Sequence, residues 1–492
     1  MPGGQTGSPG KSFVDTLPVL LYLLKSVNNM NQSPQDKLLL SVAGARGIVG
    51  KAMNVQVVTR LGLAFCSTLP PGAVVVGRDT RVSGESLASA VTAAVTATGR
   101  ECITLGIVTT PTVEMMVEKL GAAGGIVVTA SHNGPEWNAL KFLDRRGIFV
   151  DRATGDRIYQ AFAEDSYEFA SAPATGKITT YERAASDHID QILGLHVIDV
   201  EQIIRRRFKV VIDCINGAGS VIGPDLLEAF GVKVVRLHCK TNGDFHRDPE
   251  PRAENIRELA EKVREVGADV GFALDPDADR LALVDQAGEA LSEEYTLALA
   301  VDQVLETEKK GPVVVNLSTS ALVDWVAGQH QAAVLRTPVG EALVVDRMMK
   351  ELATIGGEGN GGVIYPELHP GRDAMLGMAL ILQLLAGRGK SLRDQINQYP
   401  TFFMTKEKVE LAGEFSVPQI SGLIEGLEPA TISTEDGIKA IFDDGWCHIR
   451  LSNTEGLVRI IAESLSSERT EALQGIARKA LDSAWGRASF QE

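Results

Sequence analysis

The sequence predicts a multidomain α/β protein, three α/β units followed by a smaller α+β domain. Three observations carry that expectation. The chain has 492 residues, and single cores stop growing near about 250–300 residues. Short apolar runs alternate with helical patterns from about residue 37 onward, the signature of parallel strands covered by helices. The segment Thr405–Glu492 breaks the alternation, with two helical stretches and strands around an Asp436-Gly437 turn.

The elements follow in order. Residues 1–10 (MPGGQTGSPG) read as a Gly/Pro/Ser-rich tail. The run Leu17–Leu24 is apolar but too short to span a bilayer, and no small-residue cleavage site follows it; a loosely docked helix is expected. Ala73–Val76 and Ile126–Thr129 read as buried strands, with a helix over Ser86–Gly99. A second unit opens with the strand Phe208–Asp213 and the turn Asn216-Gly217-Ala218-Gly219. It continues through a helix at Pro224–Phe230 and strands at Val232–Leu237 and Ala268–Leu274. A third unit opens with Val313–Asn316. The expected divisions are an extension 1–36, then 37–189, 190–305, 306–402 and 403–492.

Composition removes several classes. The hydrophobic fraction is 44% and the mean hydropathy +0.04, ordinary for a soluble globular chain. The formal charge is −15, and no dense Lys/Arg cluster offers a nucleic-acid face. Five widely spaced cysteines without a Cys-x-x-Cys argue against a disulfide framework or zinc site and for a reducing, cytoplasmic setting.

Four constellations could carry chemistry. Thr129-Ala130-Ser131-His132-Asn133-Gly134 follows a strand, with Asn138 and Lys141 downstream. A serine hydroxyl needs activation to act as a nucleophile, and His132 and Lys141 are at hand; the plainer reading is a helix-capping turn. Asp275-Pro276-Asp277-Ala278-Asp279-Arg280 can converge three carboxylates on a hard cation such as Mg²⁺ or Ca²⁺. An EF-hand loop is excluded, because Arg280 and Gln286 stand where it needs Gly and Glu. Gly356-Gly357-Glu358-Gly359-Asn360-Gly361-Gly362 allows close backbone approach, with Glu358 and Asn360 as hydrogen-bonding groups; alone it also reads as a plain loop. Arg450-Leu451-Ser452-Asn453-Thr454-Glu455-Gly456 gathers a guanidinium, hydroxyls and backbone N–H groups, a cradle for a phosphate dianion. Gly44–Gly50, with Arg46 among glycines, and Gly77-Arg78-Asp79-Thr80-Arg81 read equally well as structural.

In this order and spacing the motifs resemble the α-D-phosphohexomutase family, from about residue 40 to the C-terminus. The resemblance implies four domains around a central cleft, three similar α/β units with mixed sheets plus a C-terminal α+β domain. It implies a phosphoserine at Ser131 beside His132, and Mg²⁺ held by Asp275, Asp277, Asp279 and the serine's phosphate. Arg280, Glu358 and Asn360 would meet the sugar, and Arg450, Ser452, Asn453 and Thr454 its non-reacting phosphate. Arg46 and Lys141 would flank the reacting phosphoryl group, with Lys141 a candidate general base. The implied reaction interconverts hexose 1- and 6-phosphates through a bisphosphorylated sugar, with sugar 1,6-bisphosphate as activator. The resemblance leans towards phosphoglucosamine mutase, with a broad phosphomannomutase/phosphoglucomutase as alternative. A metal-dependent phosphatase and a non-catalytic sugar-phosphate binder are the readings from other classes. The expected partner is a phosphosugar, with no nucleic acid or membrane, and the expected state a monomer or homodimer. Three departures stand out: Gly134 and Gly456 where the family usually has proline, and Gly362 where many members have histidine.

Overall fold

The computed structural model describes residues 37–42, 44–308, 311–452 and 456–486. The N-terminal extension, with its Leu17–Leu24 run, lies outside the described residues, as do Asn453 and Thr454. Four sheets follow one another along the chain.

The first is seven-stranded, in the order Leu39–Ser41, Gly44–Ile48, Trp137–Leu143, Gly124–Val128, Val74–Arg78, Cys102–Ile107, Ile178–Thr180. The second runs Leu281–Asp285, Val270–Leu274, Lys209–Asp213, Lys233–Leu237. The third runs Val334–Thr337, Val313–Asn316, Ile355–Glu358, Gly362–Tyr365, His369–Arg372. The fourth is wholly antiparallel: Phe403–Glu410, Leu457–Ser464, Gly445–Leu451, Ile438–Phe442, Thr431–Ser433.

The strand–helix alternation alone points to parallel sheets, and the first three sheets are mixed. Parallel pairing occupies their centres, as between Val270–Leu274 and Lys209–Asp213 or Val313–Asn316 and Ile355–Glu358. At one side of each, a parallel strand turns back on itself. Val128 pairs with Leu140, Leu274 with Leu281 and Glu358 with Gly362, all antiparallel. Each of these hairpins encloses one of the sequence constellations. The fourth does the same, with Leu451 opposite Val458 across the phosphate-type loop. The candidate loops thus sit at the carboxyl ends of strands, where α/β sheets bind ligands.

The packing explains the rigidity of these supports. Strand residues Val270, Phe272, Ala273 and Leu274 are fully buried, as are Leu281 to Val284 on the return. The helix Ala374–Arg388 is apolar on every side and buried from Ala374 to Ala386, so it lies inside the molecule. The last domain has a separate core around Ile420, Ile449, Ile460 and Leu473. Among the described residues no helix is long and apolar enough to cross a membrane.

Candidate active site

The serine loop is shaped from below by a buried ion pair. Arg81 donates from Nη2 to the carbonyl oxygens of Ser131 at 2.6 Å and Asn133 at 2.7 Å, and from Nη1 to those of Gly134 at 2.5 Å and Trp137 at 3.1 Å. Its Nε pairs with Asp79 at 3.0 Å, and Asp79 also accepts from Thr129 Oγ1 at 2.6 Å. Thr129 Oγ1 accepts in turn from the amide of Ser131 at 3.0 Å. One guanidinium so collects four carbonyls, which is the fork geometry lysine cannot supply. Ser131 takes φ 47°, a left-handed conformation uncommon outside glycine. Sequence reasoning left Asp79 and Arg81 undecided; the structure makes them the foundation of the loop.

Ser131 Oγ donates to Asp275 Oδ2 at 2.8 Å, which joins the first sheet's loop to the second's. His132 Nδ1 lies 3.4 Å from the same hydroxyl. Enclosure and the guanidinium groups of Arg280, Arg46 and Arg372 hold the His132 imidazole well below its ordinary pKa. Arg46 donates to Asn133 Oδ1 at 3.0 Å.

The three aspartates converge as expected. Each offers an oxygen within 4.8 Å of the others, and all are buried. Asp275 Oδ1 accepts from the amides of Asp279 and Arg280, which closes the loop on itself. Helix N-termini from two other domains brace it: the Thr110 amide donates to the Asp277 carbonyl at 3.0 Å and the Ala374 amide to that of Ala278 at 3.2 Å. Gly217 runs so close beneath that a Cβ there would stand 2.6 Å from the Pro276 carbonyl oxygen.

These residues fit a hard divalent cation. Among the described residues Asp277 Oδ1 and Asp279 Oδ1 are buried without a hydrogen-bond partner, an arrangement that costs free energy unless a ligand completes it. Burial raises the pKa of both Asp275 and Asp277. The like charges of Asp279 and Asp277 push Asp275 further up, while Lys141 outweighs burial at Asp277 and holds it below the usual carboxylate range.

Lys141 Nζ sits 2.7 Å from Asp277 Oδ2 and 3.6 Å from Asp279 Oδ2. Burial opposes its charge, but Asp277 and Asp279 overcome that and push the ammonium above the ordinary lysine range. A lysine acting as a base needs the opposite shift, which a cation held by the same two carboxylates would favour by offsetting their charge.

The sugar-type loop has its polar side chains engaged within the protein. Glu358 is buried, and both oxygens are engaged: Oε1 by Asn316 Nδ2 at 2.8 Å and the Gly340 amide at 3.2 Å, Oε2 by Arg372 at 2.9 Å and Asn360 Nδ2 at 3.4 Å. Asn360 is half-buried, and its Oδ1 accepts from the Gly362 amide. Arg280 is buried beside Glu250 at 3.4 Å. Arg372, which sequence reasoning did not single out, donates to Asp279 Oδ2 at 2.5 Å and so links the carboxylate loop to the sugar-type loop.

In the fourth domain, Arg450 is buried and donates from Nε to Asp436 Oδ2 at 2.8 Å, while its Nη2 has no hydrogen-bond partner among the described residues. Ser452 sits where the strand ends, its amide donating to the Leu457 carbonyl at 2.8 Å. The domain meets the third through polar contacts: Asp436 accepts from the Val339 amide, Glu463 from the Ala321 amide, and Lys439 donates to the Leu317 carbonyl at 2.6 Å. His448 bridges Ser318 Oγ at 3.0 Å and the Asp436 carbonyl at 2.7 Å.

Comparisons with known proteins agree with this architecture. The three alpha/beta/alpha domains of phosphoglucomutase/phosphomannomutase match residues 37–168, 186–288 and 292–402, and its C-terminal domain matches 406–480. A phosphoglucomutase/phosphomannomutase of Thermococcus kodakarensis is 36% identical over 454 residues, 91% of this chain and 99% of the relative. A probable phosphoglucosamine mutase of Methanopyrus kandleri is 35% identical over 436 residues, 88% and 95% of the two chains. The crystal structure of a phosphoglucomutase/phosphomannomutase family protein from Burkholderia thailandensis superposes with TM-score 0.81 at 25% identity, covering 91% of this chain and 98% of that one. With all four domains matched in order, and a serine loop, a carboxylate loop and a sugar-type loop built on equivalent hairpins, the chain belongs to the phosphoglucomutase/phosphomannomutase family.

Proposed function

We propose that the chain is a phosphohexomutase that carries its transferable phosphoryl group on Ser131 and interconverts a hexose 1-phosphate with its 6-phosphate. One observation carries this reading: the Ser131 hydroxyl rests on Asp275 at the mouth of a three-aspartate loop with unpartnered oxygens. We adopt the division 37–189, 190–305, 306–402 and 403–492 as its frame, each part contributing one loop.

Asp275, Asp277 and Asp279 would hold Mg²⁺ together with the phosphate on Ser131. When bound, the ion neutralises charge on the transferring group and fixes its orientation. The chain's own residues do the rest. Arg81 and Asp79 hold the backbone of the serine loop, so the phosphoryl donor meets an acceptor in one orientation. Lys141 and Arg46 add fixed positive charge where phosphoryl transfer spreads negative charge. His132, kept neutral, has a ring nitrogen at the serine oxygen and is placed to share its proton. Arg450 and Ser452, with Asn453 and Thr454, would grip the phosphate that is not reacting, whichever end of the bisphosphorylated sugar that is. Arg280, Glu358 and Asn360 would face the sugar. The separate core and polar seam of the fourth domain support its movement over the substrate.

The relatives' names support an amino sugar or a broad hexose specificity: one is called a probable phosphoglucosamine mutase, another a phosphoglucomutase/phosphomannomutase. We favour glucosamine phosphate.

The test is a mutase assay with Mg²⁺ and sugar 1,6-bisphosphate as activator, on glucosamine, N-acetylglucosamine, glucose and mannose 1-phosphates, with Ser131→Ala alongside. A 6-phosphate product that disappears in the variant is expected. Free phosphate from every sugar, or no product at all, overturns the reading.

A further inference from the structure

We infer that Arg372 is the positioning residue that couples Glu358 of the sugar-type loop to the metal-type ligand Asp279, and that glycine at 362 is what admits it. The inference rests on the phosphohexomutase reading.

Strand register carries the first part of the argument. Glu358 stands opposite Gly362, and Arg372 stands opposite Ile364, two residues along the same strand. Opposite residues of an antiparallel pair share a face, as do residues two apart. Glu358, Gly362 and Arg372 therefore lie on one face, with the glycine between the two charged residues.

That gap is filled by the arginine. A Cβ at Gly362 would meet Arg372 Cδ at 2.3 Å and Cγ at 3.0 Å. Any larger residue at 362 would occupy the path of the arginine stem. The φ of Gly362 is not in the left-handed range, so no backbone requirement explains the glycine. Space for Arg372 does.

The head of Arg372 cannot give way, because three carboxylates hold it. Its amide and Nε donate to Glu341 at 2.8 and 3.0 Å, Nη1 to Glu358 at 2.9 Å, and Nη2 to Asp279 at 2.5 Å. The side chain is 9% exposed. A planar fork with fixed charge can serve three acceptors at once, whereas an ammonium is a point charge on a flexible stem. Asp279 Oδ2 is taken by the arginine and Oδ1 is left without a hydrogen-bond partner. Movement of Asp279 on taking a ligand at Oδ1 is thereby transmitted to the guanidinium, and through it to Glu358. Cation binding and sugar binding then share a coupling free energy, which must be reciprocal.

The experiment uses the full chain in a Ser131→Ala background, so that no turnover interferes. Glucosamine, glucose and mannose 6-phosphates are titrated calorimetrically with and without Mg²⁺, and Mn²⁺ binding is followed by electron paramagnetic resonance with and without each sugar. In the parent, each partner is expected to tighten the other at least about fivefold. Arg372→Lys should bring the factor close to one in both directions while the protein stays folded. Gly362→Ala, which touches no carboxylate, should do the same by displacing the arginine, and it decides the matter if the lysine variant does not fold. Full coupling in a folded Arg372→Lys or Gly362→Ala protein overturns the inference, as does a parent that binds both partners independently. A parent that binds no sugar phosphate at all would instead defeat the phosphohexomutase reading.

Discussion

The guanidinium of Arg81 donates to the carbonyl oxygen of Ser131 at 2.6 Å from a position 50 residues away in sequence. The backbone of the serine proposed to carry the phosphoryl group is thus held by a side chain that is itself buried. Because Arg81 and Asp79 are 1% and 0% exposed, removing either leaves a charge buried without its partner.

Arg81→Met should therefore cost about 3–5 kcal/mol of stability, the usual penalty for breaking a buried pair. Denaturant unfolding measures it. Arg81→Lys restores charge but not the fork, so it should recover stability only in part and leave Ser131 poorly phosphorylated. An unchanged unfolding midpoint in Arg81→Met would contradict this account.

Cation binding should stabilise the folded chain by mass action, by about 2.7 kcal/mol at a hundredfold excess over the dissociation constant. Thermal melting with and without Mg²⁺ reads the effect. The rise in melting temperature should vanish after chelation, and it should be absent in Asp275→Asn, which keeps the size of the side chain and removes its charge. A persistent rise in that variant would place the ion elsewhere.

Gly217→Ala adds one methyl group against backbone that cannot yield, 2.6 Å from the Pro276 carbonyl oxygen and 2.8 Å from its Cα. Overpacking of this kind costs about 1–3 kcal/mol. The strain falls on the loop bearing Asp275 and Asp277, so weaker Mg²⁺ activation should accompany the lower stability. Loss of stability with unaltered Mg²⁺ response would argue that the two are not linked.

Acid should loosen the seam between the third and fourth domains through His448. Burial dominates and brings its pKa down from 6.5 to about 4 against the upward pull of Asp436, with lesser help from the positive charges of Lys439 and Arg450. Above pH 6.5 the imidazole is neutral whether folded or not. Between pH 6.5 and 4 the unfolded chain takes up a proton that the folded chain refuses, so stability falls with pH by up to about 3 kcal/mol. Glu294, pushed up to about 7 mainly by burial, acts in the opposite sense over the same range. The measurement is therefore the difference between the parent and His448→Gln, which should shrink as pH falls from 6.5 to 4. A constant difference across that range would clear His448 of the effect.

The readable parts of this molecule are those whose partners lie close along the chain. Asp275, Asp277 and Asp279 lie within one turn, so their convergence could be read from spacing. Ser131 with His132, and the apolar strands on either side of each loop, are local in the same way. Arg81 and Arg372 were not readable, because what defines each is a set of acceptors brought together only by the fold. Asp279 and Arg372 are 93 residues apart. Glu358 illustrates the converse: its position in a glycine-rich loop suggests a free hydrogen-bonding group, but its oxygens already hold Asn316, Gly340 and Arg372. The mixed character of the sheets is implied by the family resemblance and is not legible in the strand patterns themselves. A return strand such as Leu281–Asp285, buried throughout, has the same continuous apolar run as a parallel one.

The four hairpins share one construction. Each loop is clamped at its base by a defined cross-strand pair, Leu274 with Leu281 or Glu358 with Gly362, and the apex at 359–361 is fitted to its neighbours as well. The Gly361 carbonyl accepts from the Leu281 amide at 3.1 Å, and side chains added at Gly359 or Gly361 would run into Glu294 and the Leu281 backbone. With Arg372 fastening one loop to the next, no tip can be rewritten in isolation, much as a key recut for one ward must still clear the others.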